Sequence, residues 1–267
     1  MPELPEVETI VRKYSKLLSG QKIAAFESRW PRQVSPDYNA VKTALPGLQI
    51  NNLSRRAKFI VMHLSNNSWL LVHLRMSGRF EWLKPGESEP AHVRALWTFE
   101  SGEQLLFCDA RKFGRIIYTS DFAAATAGIG IEPLERSFTA ARLGDILHSH
   151  SRTIKTMLLD QSLIAGLGNI YTDESLHMAG IHPTRRSDGI SDEEVLRLHG
   201  AIKTVLKEAI RHNGTSFDWI YPDGHMQDNL KVYGRKGEPC RSCGGIIERT
   251  VTGQRGTHFC PRCQPLK

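Results

Sequence analysis

"CRSCGGIIERTVTGQRGTHFCPRC", residues 240–263, holds four of the five cysteines in the chain. The spacing is C-x2-C, sixteen residues, then C-x2-C. Each pair forms a compact knuckle that offers two thiolates along one edge of a tetrahedron, and two such knuckles match a zinc site. Cys240, Cys243, Cys260 and Cys263 therefore predict one bound Zn2+. Four protein ligands leave no open position, so the metal is expected to be structural. Between the knuckles, "IIERTV" and "THFC" alternate like a hairpin, with "TGQRG" as its tip, which folds the second knuckle back onto the first.

The same end of the chain carries most of its net charge. Lysine and arginine number 35 against 28 acidic residues, a net charge of +7. Residues 230–267 alone hold eight basic residues and two acidic ones. A basic tail of this kind is a phosphate-contacting surface in outline. Arg255, at the hairpin tip, is placed to reach a DNA groove or to stay solvated, and spacing alone favours neither.

Outward from the cysteines, residues 214–230, "GTSFDWIYPDGHMQDNL", have no clear period and read as a loop. Before them, "SDEEVLRLHGAIKTVLKEAIRHNG" (191–214) is the clearest helix. Ser191 and Glu194 fit a capping box, and Asn213-Gly214 stop the helix. "TAARLGDILHS" (139–149) and "TIKTMLLD" (153–160) are shorter helix candidates. In "QSLIAGLGNIYTDESL" (161–176), Gly166 and Gly168 permit a tight turn. Asn169 stands at a helix N-cap position. This is either an ordinary cap or an uncovered helix N-terminus suited to a phosphate.

Upstream of "IEPLERS" (131–137), the best linker, the pattern changes to strands. "RRAKFIVMHL" (55–64) and "SWLLVHLRMSGRFEWL" (68–83) flank the turn "SNN". "RALWTFE" (94–100) and "QLLFCDARKFGRIIY" (104–118) flank "SGE". Segments 21–29 and 48–54 are also strand-like. This half is expected to be an antiparallel sandwich or barrel with one or two helices. Cys108, inside an apolar strand pattern, reads as a buried core thiol.

The chain opens with "MPELPEVETI". Prolines and acidic residues suit a first helical turn. Val7, Ile10, Val11, Tyr14, Leu17 and Leu18 follow at helical spacing, up to Gly20. With 267 residues, 40% hydrophobic and 24% charged, the chain has the composition of a soluble globular protein of about two domains. No apolar run approaches the roughly 18 residues of a membrane span. No secretory signal pattern opens the chain, so a reducing compartment is expected.

"PELPEVE", "GLGNIYTDESLHMAGIHP" and "VYGRKGEPC", which leads into a four-cysteine finger, together resemble the formamidopyrimidine-DNA glycosylase / endonuclease VIII family of base-excision repair enzymes. The resemblance runs along essentially the whole chain. "PELPE" points to the formamidopyrimidine-DNA glycosylase branch. The implied fold is α+β: an N-terminal β-sandwich with a leading helix (1–133), a helix–two-turn–helix domain (138–228) with a lesion-side loop (214–230), and a zinc finger hairpin (231–267). The implied partner is damaged double-stranded DNA, bound by a monomer in a bacterial-type cytoplasm, at the nucleoid and away from membranes.

The resemblance also implies roles. Removal of Met1 exposes the secondary amine of Pro2 as nucleophile. Glu3 is the proton shuttle and Glu6 a supporting carboxylate. Lys58 holds phosphate beside the reaction centre. Met76, Arg111 and Phe113 fill the void left by the flipped base. Asn169, Arg255, Tyr233 and Lys155 contact DNA. The implied activity is removal of oxidised purines with strand cleavage by β,δ-elimination. The competing readings are an endonuclease VIII-type enzyme for oxidised pyrimidines and a non-catalytic binder of damaged DNA. Two departures stand out. Arg75 takes the place of an expected glycine before Met76, and residues 214–230 differ from the loop that caps the purine in many relatives.

Overall fold

The computed structural model describes residues 2–216 and 224–266. Met1, and the middle of the expected 214–230 loop, lie outside the described residues. In chain order the elements begin with α1 (Leu4–Leu18), β1 (Ile23–Ser28), β2 (Val34–Ser35), α2 (Tyr38–Ala44), β3 (Ile50–Arg56), β4 (Phe59–Leu64) and β5 (Trp69–His73). Next come β6 (Gly78–Leu83), β7 (Val93–Phe99), β8 (Gln104–Asp109), β9 (Arg115–Thr119) and α3 (Phe122–Thr126). The remainder is α4 (Ala140–His148), α5 (Ile154–Leu159), α6 (Asn169–Ala179), α7 (Asp192–Arg211), β10 (Glu248–Thr252) and β11 (Arg255–Phe259).

The chain divides into two compact units. Among the described residues, one comprises Pro2, 6–127 and Ser216; the other comprises 3–5, 128–215 and 224–266. The cysteine hairpin thus shares a unit with the helices.

The first unit is built on two sheets, in the orders β1-β7-β8-β6 and β2-β9-β5-β4-β3. Every pairing is antiparallel except β2 with β9. The apolar stripe of α1 (Val7, Ile10, Val11, Tyr14, Leu18) packs into one cluster with Phe26, Trp97, Phe99 and Phe107. Burial of such side chains contributes about 1.5–3 kcal/mol each. Cys108 is fully buried, as expected, and burial raises its thiol pKa to about 11.

Both hairpins form, but two runs that read as single strands are each broken in two. "SWLLVHLRMSGRFEWL" splits at 74–77 into β5 and β6, and "QLLFCDARKFGRIIY" splits at 110–114 into β8 and β9. In each case the two pieces belong to different sheets. A left-handed residue marks each break: Arg75 (φ 55°) and Lys112 (φ 59°). Apolar residues on either side of each corner, Leu74 and Phe80 at one and Phe107 and Ile116 at the other, pack into the same core.

In the second unit the core gathers Leu4, Phe138, Leu143, Met157, Tyr171, Leu176 and the stripe of α7. The Ser191–Glu194 capping box is present in full. Asn213 and Gly214 both take positive φ and end α7. At the base of the 214–230 loop, His225 N–H donates to the His212 carbonyl and Met226 N–H to that of Gly214 (2.9 Å each). Among the described residues, no helix is long and apolar enough to cross a membrane.

Candidate functional site

The N-terminal segment is held by the start of α6. The Glu3 carboxylate accepts the backbone N–H groups of Gly168 (2.8 Å), Ile170 (2.9 Å) and Tyr171 (3.3 Å). These are the orphan donors of the helix N-terminus, and the helix dipole favours a negative charge there. A Cβ at Gly168 would fall on the Glu3 carboxylate, and one at Gly166 (φ 85°) on the Leu4 side chain. The two glycines therefore permit a close approach as well as a turn. The cap is Gly168, not Asn169, which is the first helical residue. Of the two readings of this helix start, an ordinary cap or an N-terminus open to a phosphate, the second does not hold, because Glu3 occupies it. Glu3 is 3% exposed.

In the sheet unit, Pro2 and Glu6 are buried. Lys58 lies in the turn between β3 and β4, after the left-handed Ala57 (φ 51°), and is 5% exposed. Arg55 ties that turn to α1 through Glu8 (3.2 Å), which also pairs with Arg12. His73, at the end of β5, borders this corner as a neutral ring. Burial first, then the charges of Arg75 and Lys58, lower its pKa to about 3. Arg75 N–H donates to its Nδ1 (3.0 Å), so the neutral ring carries its proton on Nε2.

The two corners between the sheets carry the candidate wedge. Met76 and Phe113 are 41% and 46% exposed, unusual for large apolar side chains. Arg111 is exposed and its guanidinium lies 4.9 Å from the centre of the Phe113 ring. The fully buried Asp109 organises both corners. It accepts the Ser77 hydroxyl, the Arg111 N–H (3.2 Å) and the Gly114 N–H (2.8 Å).

Lys155 departs from its expected place on the DNA side. It is fully buried, with Nζ 2.6 Å from Asp173 Oδ1 and 3.0 Å from the Gly256 carbonyl. Desolvation lowers its pKa, and the Asp173 charge opposes that. Asn169 Nδ2 donates to the same Gly256 carbonyl (2.9 Å). Tyr233 is half-buried, edge-on to His258 with ring centres 5.0 Å apart. Arg255 is exposed and opens β11, directly after a two-residue turn, Gly253-Gln254, in which both φ are positive.

α6 supports the finger with consecutive carboxylates. Asp173 accepts the His258 N–H (2.8 Å). Glu174 accepts those of Lys231, Val232 and Tyr233 (2.8–2.9 Å). Burial raises the Glu174 pKa, against the pull of those three donors. Gln264, fully buried, joins Cys260 N–H to the Ile181 carbonyl. None of these supports was singled out from sequence. A clue existed: Thr172, Asp173, Glu174 and Ser175 are four consecutive polar residues, all buried, in a helix without a polar face.

The four cysteine sulfurs lie within 4.8 Å of one another. Cys240 and Cys263 are 3.8 Å apart, Cys243 and Cys260 3.5 Å. Sulfurs about 2.3 Å from a tetrahedral zinc are separated by about 3.8 Å. The donor set and its spacing therefore fit one structural Zn2+.

Comparison with known proteins agrees along the whole chain. Residues 1–116 match the formamidopyrimidine-DNA glycosylase N-terminal domain, 129–219 its H2TH domain, and 237–266 the zinc finger found in FPG and IleRS. Formamidopyrimidine-DNA glycosylases of Shouchella clausii and Heliobacterium modesticaldum are 41% and 42% identical, over 99% of this chain and 99–100% of theirs. The Lactococcus lactis enzyme bound to DNA with an AP site superposes with a TM-score of 0.93 at 36% identity, covering 99% of this chain and 100% of that one. The same enzyme bound to FAPY-dG DNA gives the same values.

Proposed function

Because this chain belongs to the formamidopyrimidine-DNA glycosylase family, a group of glycosylases acting on damaged DNA, we propose that it removes oxidised purines and then cuts the strand through a Schiff base on Pro2. The observation that carries the chemistry is the triple hydrogen bond that locks Glu3 onto the start of α6. It holds a carboxylate one residue after a proline whose α-amine, once Met1 is removed, is a secondary amine. An α-amine has a pKa of about 8, so a useful fraction is neutral near pH 7.

The Pro2 nitrogen attacks C1′ of the damaged nucleotide, and the bond from C1′ to the base breaks with its electron pair leaving on the base. Glu3 takes the N–H proton and returns it to the ring oxygen O4′ as the C1′–O4′ bond opens and the nitrogen lone pair forms an iminium. The iminium acidifies the C2′ protons. Loss of one expels the 3′ phosphate, and a second elimination expels the 5′ phosphate. Water then hydrolyses the iminium, releasing an unsaturated aldehyde and restoring Pro2. Lys58 and the Nε2–H of His73 hold a backbone phosphate. The base is flipped out, and Met76, Arg111 and Phe113 fill its place.

The relatives support the oxidised-purine assignment. Neighbouring structures hold Fapy-dG DNA and carbocyclic 8-oxo-G DNA, at 36% identity. Borohydride added to protein and abasic-site duplex is expected to trap a covalent adduct, lost when Met1 is retained. No adduct from protein with a free Pro2 overturns the lyase assignment. Faster cleavage of dihydrouracil than of 8-oxoguanine duplex moves the substrate class to pyrimidines. Binding of damaged duplex without cleavage of either duplex leaves only a binding protein.

A further inference from the structure

His177 lies in the last turn of α6 and is 7% exposed. Its Nε2 is 3.5 Å from Cys240 Sγ, a hydrogen-bonding distance to sulfur. A zinc-bound cysteine is a thiolate, with lone pairs and no proton to give. The imidazole must therefore be the donor, with its proton on Nε2. Cys240 already accepts the Ser242 N–H (3.4 Å) within its own knuckle. The contact from His177 differs in kind, because its donor is a side chain outside the finger, on a helix that also holds the finger by Asp173 and Glu174.

We propose that His177 donates a hydrogen bond to the zinc-bound thiolate of Cys240 and thereby damps its nucleophilicity and slows metal loss. A hydrogen bond to a thiolate withdraws electron density from sulfur, which weakens it as a nucleophile toward electrophiles and lowers the energy of its donor orbital. Partners beyond the ligands themselves commonly tune metal affinity by about 10–100-fold. The need for such damping is visible nearby. A cleft of about 480 Å³ is lined by His177, Cys263, Met178, Met226, Glu208 and Lys231, so small reagents reach the edge of the site.

The inference rests on zinc being the resident metal, and its test separates the two. Metal analysis of the wild-type protein comes first; absence of about one zinc per chain overturns the metal assignment itself. His177→Leu removes the donor and retains bulk. His177→Gln places an amide N–H where Nε2 stands. Zinc release after addition of iodoacetamide, followed with a chromophoric chelator in the absence of DNA, is expected to be about 3–10-fold faster in the leucine variant. The glutamine variant is expected to stay near wild type. In cobalt-substituted protein the thiolate-to-metal charge-transfer band is expected to move to lower energy in the leucine variant and not in the glutamine one. Identical rates and bands in wild type and His177→Leu overturn the proposal. So do equal changes in the two variants, which would assign the effect to packing. If the leucine variant does not fold, a glutamine variant that releases zinc as slowly as wild type and keeps its band supports the proposal, and one that loses zinc rapidly overturns it.

Discussion

The two units use buried carboxylates in the same way but differ in where the residues named from the family resemblance come to lie. In the sheet unit, Asp109 is buried and holds the backbone of two corners, and the side chains set on those corners, Met76, Arg111 and Phe113, point outward. In the helical unit, two residues named for DNA contact have turned inward, while Arg255 stays exposed. Lys155 is fully buried against Asp173, and the Asn169 amide donates to a finger carbonyl. The difference separates two jobs that a sequence motif runs together. Some residues of a motif touch the ligand, and others hold the residues that do.

Substitution tests that division, and the largest effect is expected at Lys155. Lys155→Ala leaves the Asp173 carboxylate buried with only its contacts from β11. Breaking a buried pair on one side typically costs about 3–5 kcal/mol, so urea denaturation should show a loss of this order. Arg255→Ala, on the exposed side of the same hairpin, should change stability by no more than about 0.5 kcal/mol. It should instead weaken DNA binding and reduce the slope of log affinity against log salt by about 1. The reverse pattern would make Lys155 the contact and Arg255 the support.

Asp109→Ala probes the sheet unit. It strands the Ser77 hydroxyl proton and the Gly114 N–H, whereas the Arg111 N–H keeps Ser77 Oγ as acceptor (3.2 Å), with an expected loss of about 2–3 kcal/mol. The wedge should also loosen, read as a changed fluorescence of 2-aminopurine placed opposite an abasic analogue. A stability loss with no change at the reporter would confine Asp109 to the fold.

The division explains what sequence could reveal. Elements with one apolar face were legible, as α1, α7 and the hairpins show. The zinc ligands were legible because the chemistry demands their spacing. Asp173 and Glu174 were not, because their partners are backbone amides distant in the chain; Asp109 reaches amides only two and five residues ahead, but nothing in the local pattern marks it as buried. Glu174 reaches 57–59 residues ahead, and Glu3 reaches 165–168. The corners at 74–77 and 110–114 escaped for a different reason: the strands on either side of each corner bury apolar residues in the same core.

His73 adds a pH dependence to the sheet unit. Its folded pKa of about 3 lies below the ordinary histidine value of 6.5. Between those values the unfolded chain binds the extra proton, so stability is present above about pH 6.5 and is lost as pH falls toward 3. At pH 5 the loss amounts to about 2 kcal/mol. His73→Gln should flatten this part of the curve of unfolding free energy against pH. An unchanged slope would mean that other groups govern the acid limb.

The smallest effect is expected at Arg75, where a glycine would suit the backbone better. A side chain at φ 55° carries about 1–2 kcal/mol of strain. Glycine relieves it but gives back about 0.4–1 kcal/mol through a more disordered unfolded chain. These nearly cancel, so Arg75→Gly should stay within about 1 kcal/mol of wild type at pH 8. Its signature should be at acid pH. Removing the guanidinium takes away one of the two charges that oppose protonation of His73, while burial, the larger cause, remains. The acid loss should therefore shrink by less than in His73→Gln. A variant that matched His73→Gln would show that the exposed charge, and not burial, keeps His73 neutral.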